Sequence, residues 1–303
     1  MMKENRGNFT AEAAQEYLAY EPPMETEQLS SIIWTVTDGQ VRAVFIVADS
    51  SVIAFDTFGS PGKARAYAKA IATVTDKPVK TIIYTHDHLD HAGFAQDLAT
   101  DAEIIADEMC AKVIKLRGAE GQTVPTRTVN GKENELIIDG VTVKLLNPGP
   151  THGTGHLTVF FAAEKILYSS DTILANAKYG FLPDYHFCQF VKNMRSFLDL
   201  DWDKFIPGRY ELTDRAGFER GCNFIEAIQI ACQCAFAEFV PIWAYEPMYG
   251  YVQGKLNEEY GDLEGFDEHI GQMAIRIVHH YLMGGWGLED TPEGGFNLLA
   301  ETS

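Results

Sequence analysis

Short apolar runs separated by turn residues dominate the chain just after residue 30. Residues 32–37, 41–48 and 51–57 are rich in β-branched and aromatic side chains, and Asp38-Gly39 and Asp49-Ser50 separate them. Such pairs are typical of tight turns between antiparallel strands. The pattern therefore predicts a meander of three strands.

The apolar spacing then becomes helical. Apolar residues between 64 and 72 recur every three or four positions, and Ser60-Pro61 offers an N-cap followed by a first-turn proline, which predicts a helix over residues 61–74. A strand is expected at 79–84. Beyond it the pattern predicts helices near 94–100 and 108–116, a strand at 104–105, and hairpins over 136–146 and 156–168.

Two of the predicted strands end in the same way. The run that begins at Val52 ends in Asp56-Thr57, and the run that begins at Ile166 ends in Asp171-Thr172. This echo suggests an internal duplication, with two sheets packed face to face and helices outside them.

The chain is predicted to have three regions. Residues 1–30 are polar and are expected to form an N-terminal arm, and residues 31–215 the α/β core. In residues 216–303 the pattern is helical, with apolar stripes from Phe218 to Phe239, before Pro241, and from Phe266 to Tyr281. We expect these helices to pack on the core or on a second subunit, which makes a homodimer the expected oligomer.

Composition excludes several classes of protein. The chain has 303 residues, 46% of them hydrophobic, which is enough for a large core, and its net charge of −19 argues against binding to nucleic acid or to an anionic membrane. The polar N-terminus does not resemble a signal peptide, and no apolar run is long enough for a membrane span. Five cysteines without a C-x-x-C pair fit a reducing cytoplasm.

Candidate chemistry is concentrated directly after the strand at 79–84. The segment from Thr85 to Gly93 contains His86, His88 and His91 with Asp87 and Asp90. Turn formation favours Gly, Asn and Ser and does not account for alternating histidines. Because neutral imidazole and carboxylate together suit zinc, iron and manganese, the segment predicts a metal site.

A hydrolytic zinc needs three protein ligands and one open position. His86 and His88 can supply two of them, and His152, in a glycine-rich turn before the next predicted hairpin, is the best candidate for the third. His156 is expected to support the site without ligating. Asp90 and His91 would then face a second metal position, and Asp171 at a strand end could bridge both.

The segment from Thr85 to Gly93 resembles the H-x-H-x-D-H signature of the metallo-β-lactamase superfamily, and the segments around His152, Asp171 and Ile206-Pro207-Gly208 match the later motifs in order. The resemblance covers roughly residues 31–215 and implies an αββα metallo-β-lactamase-like sandwich. It further implies that His86, His88 and His152 hold the first metal, that Asp90, His91 and Asp171 serve the second, and that Asp56 supports the ligands.

One position departs from this pattern. Members of the superfamily usually have a metal-binding histidine after the Pro-Gly pair, whereas Arg209 follows Pro207-Gly208 here. A guanidinium stays protonated and repels a cation, at a cost of roughly 4 kcal/mol per unit charge at about 4 Å. We therefore expect one tightly bound zinc and a weak or empty second site. Arg209 would pair with Asp90 or Asp171 or hold the substrate, unless it points outward and His186 fills the gap.

The expected function is a metal-dependent hydrolase for a small molecule, which could be a lactone, a thioester, an amide or an activated aryl halide. Asp90 would manage the proton of the attacking water, and Arg209 would stabilise developing negative charge. One alternative is a mononuclear iron dioxygenase of the persulfide dioxygenase type, with Fe²⁺ on His86, His152 and Asp171. A non-catalytic metal-stabilised binding protein is the other.

Overall fold

A computed structural model describes residues 10–241 and 245–280. Residues 1–9 of the predicted arm and Tyr281, the last position of the second predicted stripe, lie outside the described residues, as does the rest of the predicted helical region beyond it. The chain divides into two compact units, which are described separately. The first comprises the residues up to Asn130 together with Asn134–Val143, and the second comprises Gly131–Glu133 and the residues from Lys144 onward.

Within the described residues, the first unit contains a seven-stranded sheet in which the strands follow chain order. The strands are β1 (Glu25–Gln28), β2 (Ile33–Thr37), β3 (Arg42–Val47), β4 (Val52–Phe55), β5 (Val79–Ile83), β6 (Glu103–Asp107) and β7 (Arg127–Val129). Strands β1 to β4 pair antiparallel, and β4 to β7 pair parallel. The predicted meander is confirmed as β2, β3 and β4.

The helices of the first unit are α1 (Ala11–Ala19), α2 (Pro61–Val74), α3 (Leu89–Ala92), α4 (Ala95–Leu98) and α5 (Glu108–Arg117). Helix α2 has the predicted bounds, and the Ser60 hydroxyl caps it by accepting from the backbone N–H of Lys63 at 3.1 Å. The apolar side chains of α2 pack with those of the sheet in one core. Helix α1 and strand β1 both fall within the stretch that the sequence predicts to be an arm.

The second sheet has the strand order β13-β12-β11-β10-β9-β8. Its strands are β8 (Glu133–Ile138), β9 (Val141–Leu146), β10 (Thr158–Phe161), β11 (Ile166–Ser169), β12 (Lys204–Pro207) and β13 (Thr213–Asp214). The boundary between the two units runs through β8 and β9. Both predicted hairpins, β8–β9 and β10–β11, are present.

Helices make up most of the second unit. They are α6 (Phe187–Arg195), a 3₁₀ helix (Ser196–Asp199), α7 (Arg215–Ala237), α8 (Tyr245–Tyr260) and α9 (Phe266–His280). Helix α7 carries the first predicted stripe but ends before Phe239, whose φ of 58° is left-handed. None of the described helices is long and apolar enough to cross a bilayer.

The two sheets share a local topology that fits the predicted duplication. Strands β2, β3 and β4 pair antiparallel before β4 pairs parallel with β5, and β9, β10 and β11 do the same before β11 pairs parallel with β12. Asp56 comes after β4 and Asp171 after β11. Both aspartates have left-handed backbone, with φ of 60° and 53°. Each sheet thus presents a carboxylate where antiparallel pairing gives way to parallel pairing.

Candidate metal centre

The histidine segment of the first unit begins where β5 ends. His86 and His91 are buried, and the ring centroid of His86 lies 4.8 Å from those of both His88 and His91. Potential ligand atoms of Asp56, His86 and His91 all lie within 4.8 Å of one another. The first unit alone therefore brings together three of the predicted metal ligands and the aspartate predicted to support them.

A chain of hydrogen bonds fixes the His86 ring. The hydroxyl of Thr85 donates to the Asp56 carboxylate at 2.9 Å, so its oxygen accepts from Nδ1–H of His86, also at 2.9 Å. Nε2 is then the nitrogen that carries the lone pair, which is the form that binds a metal. Asp56 also accepts from the backbone N–H of Thr85 and faces Nδ1 of His91 at 3.3 Å. Asp56 thus orients two histidines at once.

Arg117 and Gln122, which the sequence pattern does not identify, fix Asp87 in the middle of the histidine segment. Asp87 is buried, and its carboxylate is ion-paired with Arg117 at the end of α5. Its backbone carbonyl accepts from Arg117 and, at 2.6 Å, from the side-chain amide of Gln122. Because these contacts span 30 and 35 positions, local sequence pattern gives no signal for them.

Asp90 differs from its neighbours in exposure. Its side chain is 47% exposed, and its Oδ2 lies 3.8 Å from Nε2 of the buried His91. The short helix α3 that carries it turns tightly at Gly93, where a Cβ atom would lie 2.4 Å from the carbonyl oxygen of Leu89. Solvent therefore reaches the Asp90 carboxylate, whereas His86 and His91 beside it are buried.

In the second unit, His152 is buried beside Tyr185. The two residues form an isolated antiparallel bridge, and their ring centroids lie 4.9 Å apart. His156 bonds to the carbonyl oxygen of His152 through Nδ1 and to the hydroxyl of Ser169 through Nε2, both at 3.2 Å. His156 is therefore a support for the His152 backbone, as the sequence predicts.

Asp171 is held on two sides. Its carbonyl oxygen accepts from the Tyr185 hydroxyl at 2.7 Å, and burial raises the pKa of Tyr185, which keeps that phenol protonated and able to donate. Its carboxylate Oδ2 accepts from Arg209 through Nε at 2.9 Å and Nη2 at 2.7 Å. Nε2 of His152 lies 3.8 Å from the same oxygen. Of the two partners expected for Arg209, the structure shows Asp171.

Gly208 explains why Arg209 reaches Asp171. A Cβ at this position would lie 2.2 Å from the Ser170 hydroxyl and 2.7 Å from the backbone nitrogen of Asp171. Only glycine lets the end of β12 approach the end of β11 this closely. The Pro207-Gly208-Arg209 sequence therefore delivers a guanidinium, 22% exposed, to a carboxylate that is 7% exposed.

The donor sets of the two units fit a metal. Imidazole nitrogens with carboxylate oxygens suit zinc, iron or manganese, and the hydrogen bonds of Asp56, Thr85 and His86 leave Nε2 of His86 in its ligating form. In the second unit a cation already neutralises the Asp171 carboxylate. That carboxylate is consequently a poorer ligand than an aspartate without a cationic partner.

Comparison with known proteins identifies the family of the chain and two similar relatives. The family model described as "Metallo-beta-lactamase superfamily" matches residues 36–208. The chain is 40% identical over 274 residues to the 2,4-dinitroanisole O-demethylase subunit alpha of Nocardioides sp. (strain JS1661), covering 89% of this chain and 84% of the relative. It is 33% identical over 267 residues to subunit beta of the same enzyme, covering 87% and 84%.

Solved structures show the same fold. The metallo-beta-lactamase from Pontibacter korlensis superposes with a TM-score of 0.60 at 17% identity, covering 66% of this chain and 97% of that one. This similarity confirms the predicted fold class, an α/β metallo-β-lactamase-like fold with two sheets flanked by helices and with further helices toward the C-terminus. Members of this superfamily are metallo-enzymes, many of them hydrolases, and the two relatives are named as subunits of a demethylase, so the prediction of an enzyme with this fold is confirmed as well.

Proposed function

We propose, since the chain belongs to the metallo-β-lactamase superfamily, that it hydrolyses an aryl ether whose ring is activated by electron-withdrawing groups. The observation that carries this proposal is the 40% identity, over 89% of the chain, to a subunit named for removing the methyl group of 2,4-dinitroanisole. The sequence alone suggests an activated aryl halide among other substrates. An aryl methyl ether undergoes the same substitution at a ring carbon, with methoxide as the leaving group in place of halide.

His86, His88 and His152 are the proposed ligands of one zinc, and Asp90, His91 and Asp171 the proposed residues of a weaker second position. A zinc ion held there would lower the pKa of water and polarise the substrate. The proposal is supported in the first unit by the hydrogen bonds that leave Nε2 of His86 in its ligating form. In the second unit it is supported by the bridge and ring contact between His152 and Tyr185.

The proposed reaction converts an aryl methyl ether and water into a phenol and methanol. The water oxygen forms a bond to the ring carbon that carries the methoxy group, the ring holds the added electron pair, and the bond from that carbon to the methoxy oxygen then breaks. Asp90 takes the proton of the water on Oδ2 and returns it to the departing methoxide. Its carboxylate suits this role because it is partly exposed and can therefore exchange protons with solvent.

Arg209 is proposed to stabilise the negative charge that develops on the ring substituents. Asp171 fixes the guanidinium through two hydrogen bonds to one oxygen, so the cation is already oriented before substrate binds. The same pairing is the reason to propose a weak second metal position. A fixed positive charge about 4 Å from a divalent ion costs roughly 8 kcal/mol at an effective dielectric of 20.

An isotope experiment tests the reaction. Protein incubated with 2,4-dinitroanisole in water enriched in ¹⁸O should yield dinitrophenol that carries the label and methanol that does not. Label in the methanol would show attack at the methyl carbon instead. Formation of formaldehyde with consumption of oxygen would indicate the iron oxygenase alternative and would contradict a hydrolase. Turnover of lactones or thioesters, without turnover of the ether, would contradict the proposed substrate class.

We further propose that the working enzyme contains a second subunit of the same superfamily. The supporting observation is that two relatives are named as subunits alpha and beta of one enzyme and that the chain is similar to both, more closely to alpha. The native mass of the tagged chain, isolated from its own source and analysed by mass spectrometry, tests this. A heteromer with a related chain is expected, whereas a homodimer would favour the expectation from sequence.

A further inference from the structure

A cysteine and a histidine that are not among the predicted ligands form a contact within the second unit. Sγ of Cys188 lies 3.3 Å from Nε2 of His280. Cys188 is the second residue of α6, and His280 is the last residue of α9, 92 positions away. The fold has therefore paired a nucleophile with a base that the sequence alone keeps far apart.

The surroundings of Cys188 favour its thiolate. The imidazole of His280 can take the thiol proton, and the N-terminus of α6 places partial positive charge beside the sulfur. Lys192 lies one helical turn further along α6, on the same face. The Arg276 guanidinium lies 5.2 Å from the ring of Phe187, the residue before Cys188. The imidazole and the N-terminus of α6 both favour negative charge on the sulfur, and Lys192 adds a positive charge on the same face of the helix.

The other cysteines of the chain differ from this one. Cys110, Cys222 and Cys232 are buried, and burial raises the pKa of each, to about 12 for Cys222 and Cys232. Cys234 is half-buried, as Cys188 is, but it lies near the C-terminal end of α7, where the helix dipole opposes a thiolate. Cys234 therefore serves as the internal control for Cys188.

Small molecules can reach the sulfur. Cys188 lines a surface cavity of about 360 Å³ together with Lys192, Arg195 and Glu226. Arg195 and Glu226 form an ion pair, and Lys192 adds a positive charge to the cavity wall. This lining suits a peroxide and then a small anionic thiol.

The contact network links Cys188 to the predicted metal ligands. The residues just before α6 hold the His152 segment, since Tyr185 bridges His152 and the backbone N–H of His186 donates to the carbonyl of Thr151 at 2.9 Å. Tyr185 also donates to the Asp171 carbonyl. Cys188 therefore lies within three residues of the backbone that holds the His152 segment in place.

We infer that Cys188, activated by His280, is a redox-modifiable thiol that lowers the activity of the hydrolase when it is oxidised. The thiolate sulfur attacks one oxygen of hydrogen peroxide, the O–O bond breaks, and a sulfenic acid and hydroxide result, with sulfur oxidised and peroxide reduced. A small thiol such as glutathione then displaces water from the sulfenic acid to give a mixed disulfide. The effect on activity rests on the proposed function, whereas the modification does not.

The modification is tested by mass spectrometry of the full-length protein. Brief treatment with iodoacetamide at neutral pH should label Cys188 roughly tenfold faster than Cys234. His280→Gln should bring the two rates together, because the amide cannot accept the thiol proton. Equal labelling of the two cysteines in the wild type, or an unchanged ratio in His280→Gln, would overturn the inference whether or not a substrate is known.

The regulatory effect is tested with peroxide followed by glutathione. The wild type should lose most of its turnover, a thiol reductant should restore it, and Cys188→Ser should keep the untreated rate throughout. Equal inactivation of the wild type and Cys188→Ser would overturn the regulatory effect. A Cys188 that gains the mass of glutathione while turnover stays unchanged would also overturn it.

Discussion

The two sheets end their central strands in the same way and use the resulting carboxylates in opposite ways. Asp56, after β4, accepts hydrogen bonds from Thr85 and faces His91, so its carboxylate orients two histidines. Asp171, after β11, is ion-paired with Arg209. The same local topology thus occurs with a carboxylate that orients the proposed metal ligands and with a carboxylate that a cation has already neutralised.

This difference comes from very few residues. A Thr-His pair lies just beyond β5, the parallel neighbour of β4, whereas a Gly-Arg pair lies just beyond β12, the parallel neighbour of β11. The residues at the end of the neighbouring strand therefore decide the role of each aspartate. One strong and one weak metal position are expected as a result, and substitutions on each side test the two expectations.

The largest effect on activity is expected from removing a proposed metal ligand from either of the two units. His86→Ala and His152→Ala should each lower kcat/KM by roughly a thousandfold or more and should abolish tight zinc binding. Turnover and metal content by mass spectrometry measure this. His269→Ala, at a half-buried histidine of α9, is the matched control and should keep both. Loss of zinc in only one of the two ligand variants would contradict the proposal that both histidines bind the same zinc.

The next effect concerns the charge on the two aspartates. Asp171→Asn should lower the free energy of unfolding by about 2–4 kcal/mol, because it removes the carboxylate charge that the guanidinium of Arg209 faces in a largely buried place. Asp56→Asn keeps an acceptor for Thr85 and should cost about 1–2 kcal/mol. Chemical unfolding measures both.

A double variant sharpens this contrast. Arg209→Gln should recover most of the stability lost in Asp171→Asn, since the guanidinium charge is then removed together with the carboxylate charge that it faces. Additive losses in the double variant would mean that the two side chains do not act as a pair.

A smaller effect is expected from the hydrogen bonds behind the ligands. Thr85→Val removes the hydroxyl between Asp56 and His86 and should weaken zinc binding by roughly 10- to 100-fold. Tyr185→Phe, its counterpart in the second unit, removes a donor to the backbone carbonyl of Asp171 and should weaken binding less. Competition with a chelator gives both affinities. A Thr85→Val protein that binds zinc as the wild type does would show that Asp56 and Thr85 do not prepare the ligand.

The sequence predicts the elements whose signals are local. Helix α2 has its predicted bounds because a capping serine and a first-turn proline mark its start. Helix α6 is not among the predicted elements, and α8 lies in the region predicted to be helical but outside the two predicted stripes. The buried residues of both nevertheless have helical spacing, at Phe187, Phe190, Val191 and Met194 and at Met248, Val252, Leu256 and Tyr260. Pro247, Gly250 and Gly254 obscure that spacing in α8, because these residues are poor helix formers.

Some residues of the candidate site also have a local signal in the sequence, and others do not. The histidine segment is visible in the sequence because its residues are adjacent, and Arg209 is visible because it replaces an expected residue type. The roles of Arg117, Gln122 and Tyr185 are not visible, since each acts through a hydrogen bond to the backbone of a distant residue. Backbone acceptors are the same for every residue type, so these contacts leave no mark on composition or spacing.

Metal stoichiometry in the wild type, Arg209→Gln and Arg209→His tests most directly whether Arg209 closes the second metal position. We expect one tightly bound zinc per chain in the wild type, one in Arg209→Gln, which removes the charge without adding a strong ligand, and two in Arg209→His, which supplies an imidazole. Two tight equivalents in the wild type, or no second metal in Arg209→His, would contradict that role of Arg209.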